Sequence, residues 1–392
     1  MRLHYISNLP ADLRGGGYSL RNAAAFEALS EAFGARYRGP FTFPPGGVAK
    51  LISASRRRLG LHGTFHHFAP GRLSALARAV RRSQALEADL VFFNGFTPWI
   101  HTVPEGPYIA WNDCSFHDYV RIYHDPARFD PLDLARIESR EAQWLRGARA
   151  VILRSRHFAD RTITQYELDP ARVFSLRNFS TMAPPKADTY SGAPLFLFMS
   201  THFVGKNGPV VLDAFARLRA RYPQARLAVV GDIPAAGQRS TSKSVDWIGF
   251  LDPRDPAQDT RKRELLASAA MLVHPTSFDT NPAVLVEAAY FGCPAISTRA
   301  FAIPEIIEHG KTGWLVNDPR DADALAARMV WALEATHPYF EMRRAARNRA
   351  LERMTLSRFK ADLTKIVAGC NYGSASTPGT SVRPNSPEKV DI

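Results

Sequence analysis

The sequence predicts an α/β protein of two similar-sized units, each a parallel sheet covered by helices. Three observations carry this. Short β-branched runs alternate with amphipathic helical patterns along nearly the whole chain, as parallel strands joined by crossover helices do. The alternation lapses once internally, at 180–194 (STMAPPKADTYSGAP), a Pro-, Ser- and Ala-rich stretch that reads as a linker. The 392 residues are too many for one typical domain and enough for two, each with its own core.

In the first unit the strand candidates are Leu3 to Ser7, Leu90 to Asn94, Tyr108 to Trp111, Ala150 to Arg154 and Val173 to Leu176. Phe26, Leu29 and Phe33 share one helical face. The second unit offers Leu195 to Ser200, Leu227 to Gly231, Val245 to Ile248, Met271 to His274 and Ala295 to Thr298. Val210, Val211, Ala214, Phe215 and Leu218 repeat the helical spacing there. The expected organisation is an N-terminal domain over 1–185 and a C-terminal domain over 190–354. A terminal helix over 355–369 packs back on the first domain, and 371–392, rich in Ser, Pro and Gly, is a disordered tail.

Composition removes several classes. No run of about 18 apolar residues occurs, so no membrane span is expected. Met1 to Ser7 is too short and polar for a signal peptide and reads as a first strand. Cys114, Cys293 and Cys370 lie far apart, which argues against a disulfide framework or a cysteine zinc site and fits a cytoplasmic setting. No Asp-x-Asp follows a strand and no His/Cys cluster appears, so neither a metal nor a cofactor is expected.

The formal charge of +13 points to an anionic partner. It is unevenly spread. No acidic residue lies between Glu31 and Glu87, where Arg36, Arg38, Lys50, Arg56, Arg57, Arg58, Arg72, Arg78, Arg81 and Arg82 fall. Within Gly71 to Leu86, Leu73, Leu76, Ala77 and Val80 share a face, so the 50–82 segment reads as a basic amphipathic surface for an anionic membrane. The same pattern fits a solvated helix packed on the sheet. A nucleic-acid partner is not expected, because the stretch lacks interleaved aromatics or finger spacing.

Ligands of open parallel sheets collect beyond the carboxyl ends of the strands. The run His274 to Ile296 places a strand end, a loop, and then a helix opening near Asn281 or Pro282 with Thr280 or Asn281 as cap. Free N–H groups at such a helix start favour phosphate. Glu287 is the only carboxylate or basic side chain between Asp279 and Arg299. A lone charge among apolar residues is costly without a partner, and either ribose hydroxyls or a structural cation could serve.

Asp279, seven residues, then Glu287 followed by Ala-x-x-x-Gly-x-Pro-x-Ile resembles the signature of the retaining glycosyltransferases of family 4, the glycosyl transferases group 1, which usually have Glu in the first place. Pro304 to Val316, Val229 to Asp232, Ile248 to Leu251 and the Lys206-Asn207-Gly208 turn recur in that family's order. The resemblance covers the second half well. In the first half it rests on Gly15-Gly16-Gly17, Ile152-x-x-Ser155 and Arg177-Asn178.

The resemblance implies two Rossmann-like domains facing a cleft (GT-B), and transfer of a hexosyl group from an NDP-sugar to a hydroxyl of a glycan, glycolipid or other acceptor. By position, Glu287 would bind the ribose and Asp279 the donor sugar. Lys206 would meet the leaving phosphate, with His117 near the reacting sugar. Asn281, Ala283, Val284 and Leu285 would form the phosphate-binding helix start, and Gly249, Phe250 and Leu251 would pack the base. Gly16 and Gly17 would let backbone approach the donor. Thr201 stands where the family has an arginine, which leaves His202 or a distant arginine to meet the second phosphate. A sugar-nucleotide epimerase of the same fold, or an inactive nucleotide-sugar-binding scaffold, are the competing readings.

Overall fold

The computed structural model describes residues 1–12, 18–43, 46–234 and 243–371. Gly16 and Gly17 lie outside them, as does the tail beyond 371. Twelve strands among the described residues form two six-stranded sheets, parallel throughout.

The first sheet runs in the order β2-β1-β3-β4-β5-β6. Its strands are β1 (Leu3–Ile6), β2 (Arg36–Arg38), β3 (Leu90–Asn94), β4 (Tyr108–Asn112), β5 (Ala150–Leu153) and β6 (Val173–Ser175). The helices α1 (Tyr18–Phe33), α2 (Gly47–Arg58), α3 (Pro70–Arg82), α4 (Phe116–Tyr123), α5 (Pro131–Gly147) and α6 (Arg156–Tyr166) connect them. The inner strands β1, β3, β4 and β5 are buried on both faces apart from the last residue of β4, so they read as apolar runs.

The second sheet runs β12-β11-β10-β7-β8-β9. Its strands are β7 (Leu195–Ser200), β8 (Arg226–Gly231), β9 (Val245–Gly249), β10 (Met271–His274), β11 (Ala295–Thr298) and β12 (Gly313–Val316). Its helices are α7 (Gly208–Arg221), α8 (Pro256–Ser268), α9 (Ala283–Tyr290), α10 (Ile303–Ile306), α11 (Ala322–Glu334) and α12 (Thr336–Arg353). The strand order reverses between β7 and β10, which is where a doubly wound sheet opens a crevice.

The last helix, α13 (Leu356–Asn371), returns to the first domain. Its Phe359, Leu363 and Val367 join Leu3, Leu29 and Trp111 in one buried cluster. Phe359 stacks on Phe179 at 4.0 Å between ring centroids. The chain thus passes between the domains twice, and the two passes meet in a bridge between Ser180 and Thr355.

Two expectations need correction. The helix expected over 71–86 is α3, and its Leu73, Leu76, Ala77 and Val80 are buried in the domain core. That apolar face is already covered by the sheet. The helix α9 begins at Ala283 after Pro282, and no side chain caps it. Asn281 is engaged elsewhere: its Nδ2 donates to the Arg154 carbonyl at 2.7 Å.

Candidate active site

The loops after β7 and β10 face each other across the switch point, and side chains tie them together. Lys206, in the turn before α7, reaches Asp279 with 2.8 Å between Nζ and Oδ2, and also donates to the Phe278 carbonyl. Its ammonium lies 4.9 Å from the Phe278 ring centroid. Asn207 takes a left-handed backbone (φ 59°) and donates through Nδ2 to the Pro275 carbonyl at 2.7 Å and to Ser277 Oγ at 2.8 Å. The 275–279 loop is therefore held in a fixed form.

Burial of Asp279 works to raise its pKa, but the neighbouring His274 ring and the Lys206 ammonium outweigh it and hold the carboxyl at about 2. His274 ends β10 and is itself buried, with Nε2 3.9 Å from Asp279 Oδ2.

Glu287 lies one turn into α9 on its cleft side. Lys262, on α8, sits 2.7 Å from Glu287 Oε2, and the Ser180 hydroxyl donates to Oε1 at 3.4 Å. The pair is mostly shielded, with side chains 16% and 14% exposed. It opens onto a cleft of about 1040 Å³ between the domains. The second domain contributes Thr201, Phe250, Leu251, Lys262, Ala283, Val284 and Glu287. The first contributes Leu20, Ala23 and Glu27 of α1.

The structure thus gathers Thr201, Phe250, Leu251, Ala283, Val284 and Glu287 on one cavity, with Gly249 ending the strand beside it. Lys206 and Asp279 form a separate pair between the loops after β7 and β10. Leu285 points into the domain core. His202 accepts from the Gly205 N–H through Nδ1 at 3.1 Å and packs edge-on to Phe278. His117, at the start of α4, turns to α5, where its Nδ1 lies 3.3 Å from Glu138 Oε2.

A polar layer joins the domains beside the start of α9. Arg21 donates to Asn178 Oδ1 at 2.6 Å, and Asn178 Nδ2 donates to the Pro282 carbonyl at 3.2 Å. Burial first, and the facing Arg154 second, pull the Arg21 pKa down to about 9. Arg154 is paired with Asp113. Glu305 accepts the N–H groups of Arg156 and His157 at 3.0 and 2.7 Å, capping α6 from the other domain. Tyr123, at the far end of α4, accepts the Thr280 N–H at 3.2 Å.

Residues 182–353 match the family described as Glycosyl transferases group 1. The match spans the second domain, from the linker to the end of α12. A *Mycobacterium tuberculosis* relative, a GDP-mannose-dependent alpha-(1-6)-phosphatidylinositol dimannoside mannosyltransferase, is 30% identical over 150 residues, covering 38% of this chain and 37% of the relative. A D-inositol 3-phosphate glycosyltransferase of *Corynebacterium jeikeium* is 34% identical over 142 residues, covering 31% and 33%. The chain therefore spans less than half the length of these curated relatives. Among solved structures, *Anabaena* HepE in complex with UDP shares the fold over 94% of this chain and 100% of its own, at TM-score 0.65 and 18% identity. Sucrose-phosphate synthase from *Thermosynechococcus elongatus* does so at TM-score 0.68 and 16% identity, over 95% and 100%. Both parallel sheets and the cleft between them are the GT-B fold.

Sequence reasoning missed Lys262, Ser180, Arg21 and Tyr123. For Lys262 the run Thr260-Arg261-Lys262-Arg263 offered three cations and no mark of which faces inward. For Arg21 and Tyr123 no local pattern encodes a contact with the other domain. Asn178 was legible only within the Arg177-Asn178 pair.

Proposed function

We propose that this chain is a retaining glycosyltransferase that needs no metal and moves a hexosyl group from an NDP-sugar to a hydroxyl of a glycan or lipid-linked acceptor. The observation that carries the reading is the place of Glu287. It lines the interdomain cleft one turn from the open start of α9, with Lys206 and Asp279 on the loops beyond.

In this reading the ribose hydroxyls donate to Glu287, which Lys262 holds in position. The diphosphate lies over the N–H groups of Ala283 to Leu285. Lys206 exchanges its bond to Asp279 for the leaving phosphate, and Asp279 is freed to accept from sugar hydroxyls. Arg21 adds fixed positive charge behind the start of α9, where Thr201 supplies none. The acceptor attacks from the side on which the diphosphate departs, and a phosphate oxygen takes the acceptor proton. Catalysis then rests on positioning and on charge placed where the diphosphate develops. His117 acts at one remove in this geometry, through the placement of α4.

The basic 50–82 segment is read as a membrane contact, with α2 as the element that makes it. This helix buries only Ser53, while Val48 is 74% and Leu51 68% exposed beside Lys50, Arg57 and Arg58.

A binding-only reading draws on the mutual neutralisation of Lys206 and Asp279 and on Thr201. A thermal-shift panel of nucleoside diphosphates and NDP-sugars, followed by an assay for released diphosphate, tests both. Stabilisation with release in the presence of acceptor supports transfer. Stabilisation without release favours the scaffold, and no stabilisation by any nucleotide ends both.

A further inference from the structure

At the outer end of α4 a groove of about 400 Å³ is lined by Arg57, Tyr123, His124, Asp125, Arg128 and Phe129. It is braced by backbone pairing. Gly63 donates to the Arg128 carbonyl at 3.2 Å and accepts from the Asp130 N–H at 2.8 Å, which sets α2 beside the turn at 126–128. Arg57 packs over Gly63 and donates to Ser53 of its own helix, at 3.3 Å to the carbonyl and 3.4 Å to Oγ. Asp125 shares the lining, and its Oδ1 accepts the Ala127 N–H at 3.0 Å. Neither Arg57 nor Arg128 meets a carboxylate in an ion pair among the described residues. Burial first, and then Arg72, Arg57 and Lys50 near His66 and Arg128 near His124, hold these imidazoles below their ordinary pKa. Like charges held together in this way are unfavourable unless an anion joins them.

The groove is one side chain away from the loop that carries Asp279. Tyr123 forms part of its wall, and the Tyr123 hydroxyl bonds Thr280, next to Asp279. We propose that this groove binds a phosphate, or a like oxyanion, carried by the acceptor. Arg57 and Arg128 form its charged end, and Tyr123 and Phe129 flank the body of the molecule. The anchored anion then sets which hydroxyl comes to the donor sugar. The inference rests on the transferase reading for the word acceptor, while the anion site itself can be tested alone.

The test follows the His124 imidazole proton resonances of the full chain, assigned with His124→Asn, during titration with inorganic phosphate. The expected result is a saturable shift and a raised His124 titration midpoint. Affinity should fall at least about tenfold in Arg57→Gln/Arg128→Gln and stay unchanged in the charge-matched Arg78→Gln/Arg81→Gln, with equal melting temperatures. Equal responses in both double variants, or no saturable shift, overturn the site. Competition by glycerol 3-phosphate identifies a soluble phosphorylated acceptor. Retention on phosphatidic acid vesicles that Arg128→Gln alone loses, with every cation of α2 in place, identifies a lipid headgroup. Failure of both overturns the acceptor assignment. Nucleotide thermal shifts report on the other cleft, so loss of one result leaves the other standing.

Discussion

Lys262 Nζ sits 2.7 Å from Glu287 Oε2, so the carboxylate offered to the cleft is already ion-paired. This resolves how a lone acid persists in an apolar helix: a cation on the neighbouring helix neutralises it, and one oxygen keeps spare acceptor capacity.

Lys262→Met is expected to weaken donor binding more than turnover. Glu287 would lose its positioning partner but remain present. The donor KM should rise by about tenfold with kcat within about threefold. Steady-state kinetics with varied donor checks this. A fall confined to kcat would place Lys262 in the chemical step instead.

Glu287→Ala and Lys206→Ala should each lower activity by about a hundredfold or more while circular dichroism remains that of the wild type. Near-wild-type turnover in either variant contradicts the site. Asp279 supplies a control for Lys206. Its carboxyl is held near 2, below its ordinary value of 3.8, so its pairing stabilises the fold above that ordinary value and is lost as the pH falls towards 2. Lys206→Ala should move that acid transition upward.

Glu141 is fully buried on α5 and accepts from Thr97 Oγ1 at 2.6 Å, the Phe116 N–H at 2.6 Å and the Tyr166 hydroxyl at 3.2 Å. Burial raises its pKa from 4.5 to about 7 against the pull of these donors. The folded state therefore holds a proton that the unfolded chain releases. Its contribution is full below 4.5 and is lost as the pH rises through about 7, a change on the order of 3 kcal/mol. Urea denaturation at pH 5 and pH 8 should show the wild type less stable at the higher value, and Glu141→Gln should flatten the difference.

Leu51→Glu/Ile52→Glu should abolish sedimentation with anionic vesicles at low salt and leave the melting temperature within a few degrees. These side chains meet solvent, being 68% and 53% exposed. Leu76→Ala on α3 should instead destabilise the domain by about 2–5 kcal/mol, since that residue is buried in the core. Vesicle binding that survives the α2 change would remove this helix as the contact.

How much of this was legible depended on burial. β7, β10 and β11 lie deep in the second sheet, and their apolar runs marked them to the residue. The edge strand β2 is three residues, Arg36, Tyr37 and Arg38, with no buried member, so no alternation announced it. The strand β12 was visible only as part of the Pro304 to Val316 motif, because after Gly313 its apolar run is just Trp314, Leu315 and Val316. Within the site, Glu287 stood out by contrast with its neighbours. Its partner did not, because Lys262 lies in a polar stretch of α8 where every cation looks alike. Position after β4 drew attention to His117. The cross-domain contact belongs instead to Tyr123 at the opposite end of the same helix, and only the packing of two domains creates it.

The meeting of Ser180 with Thr355 has a mechanical consequence. Two neighbouring pivots define a line, so the halves keep one easy rotation and lose the freedom to twist past each other. Ser180 also touches Glu287, which puts the carboxylate beside that line, where opening displaces atoms least. In the proposed transferase, a nucleotide seated there stays docked through a swing that exposes its other end.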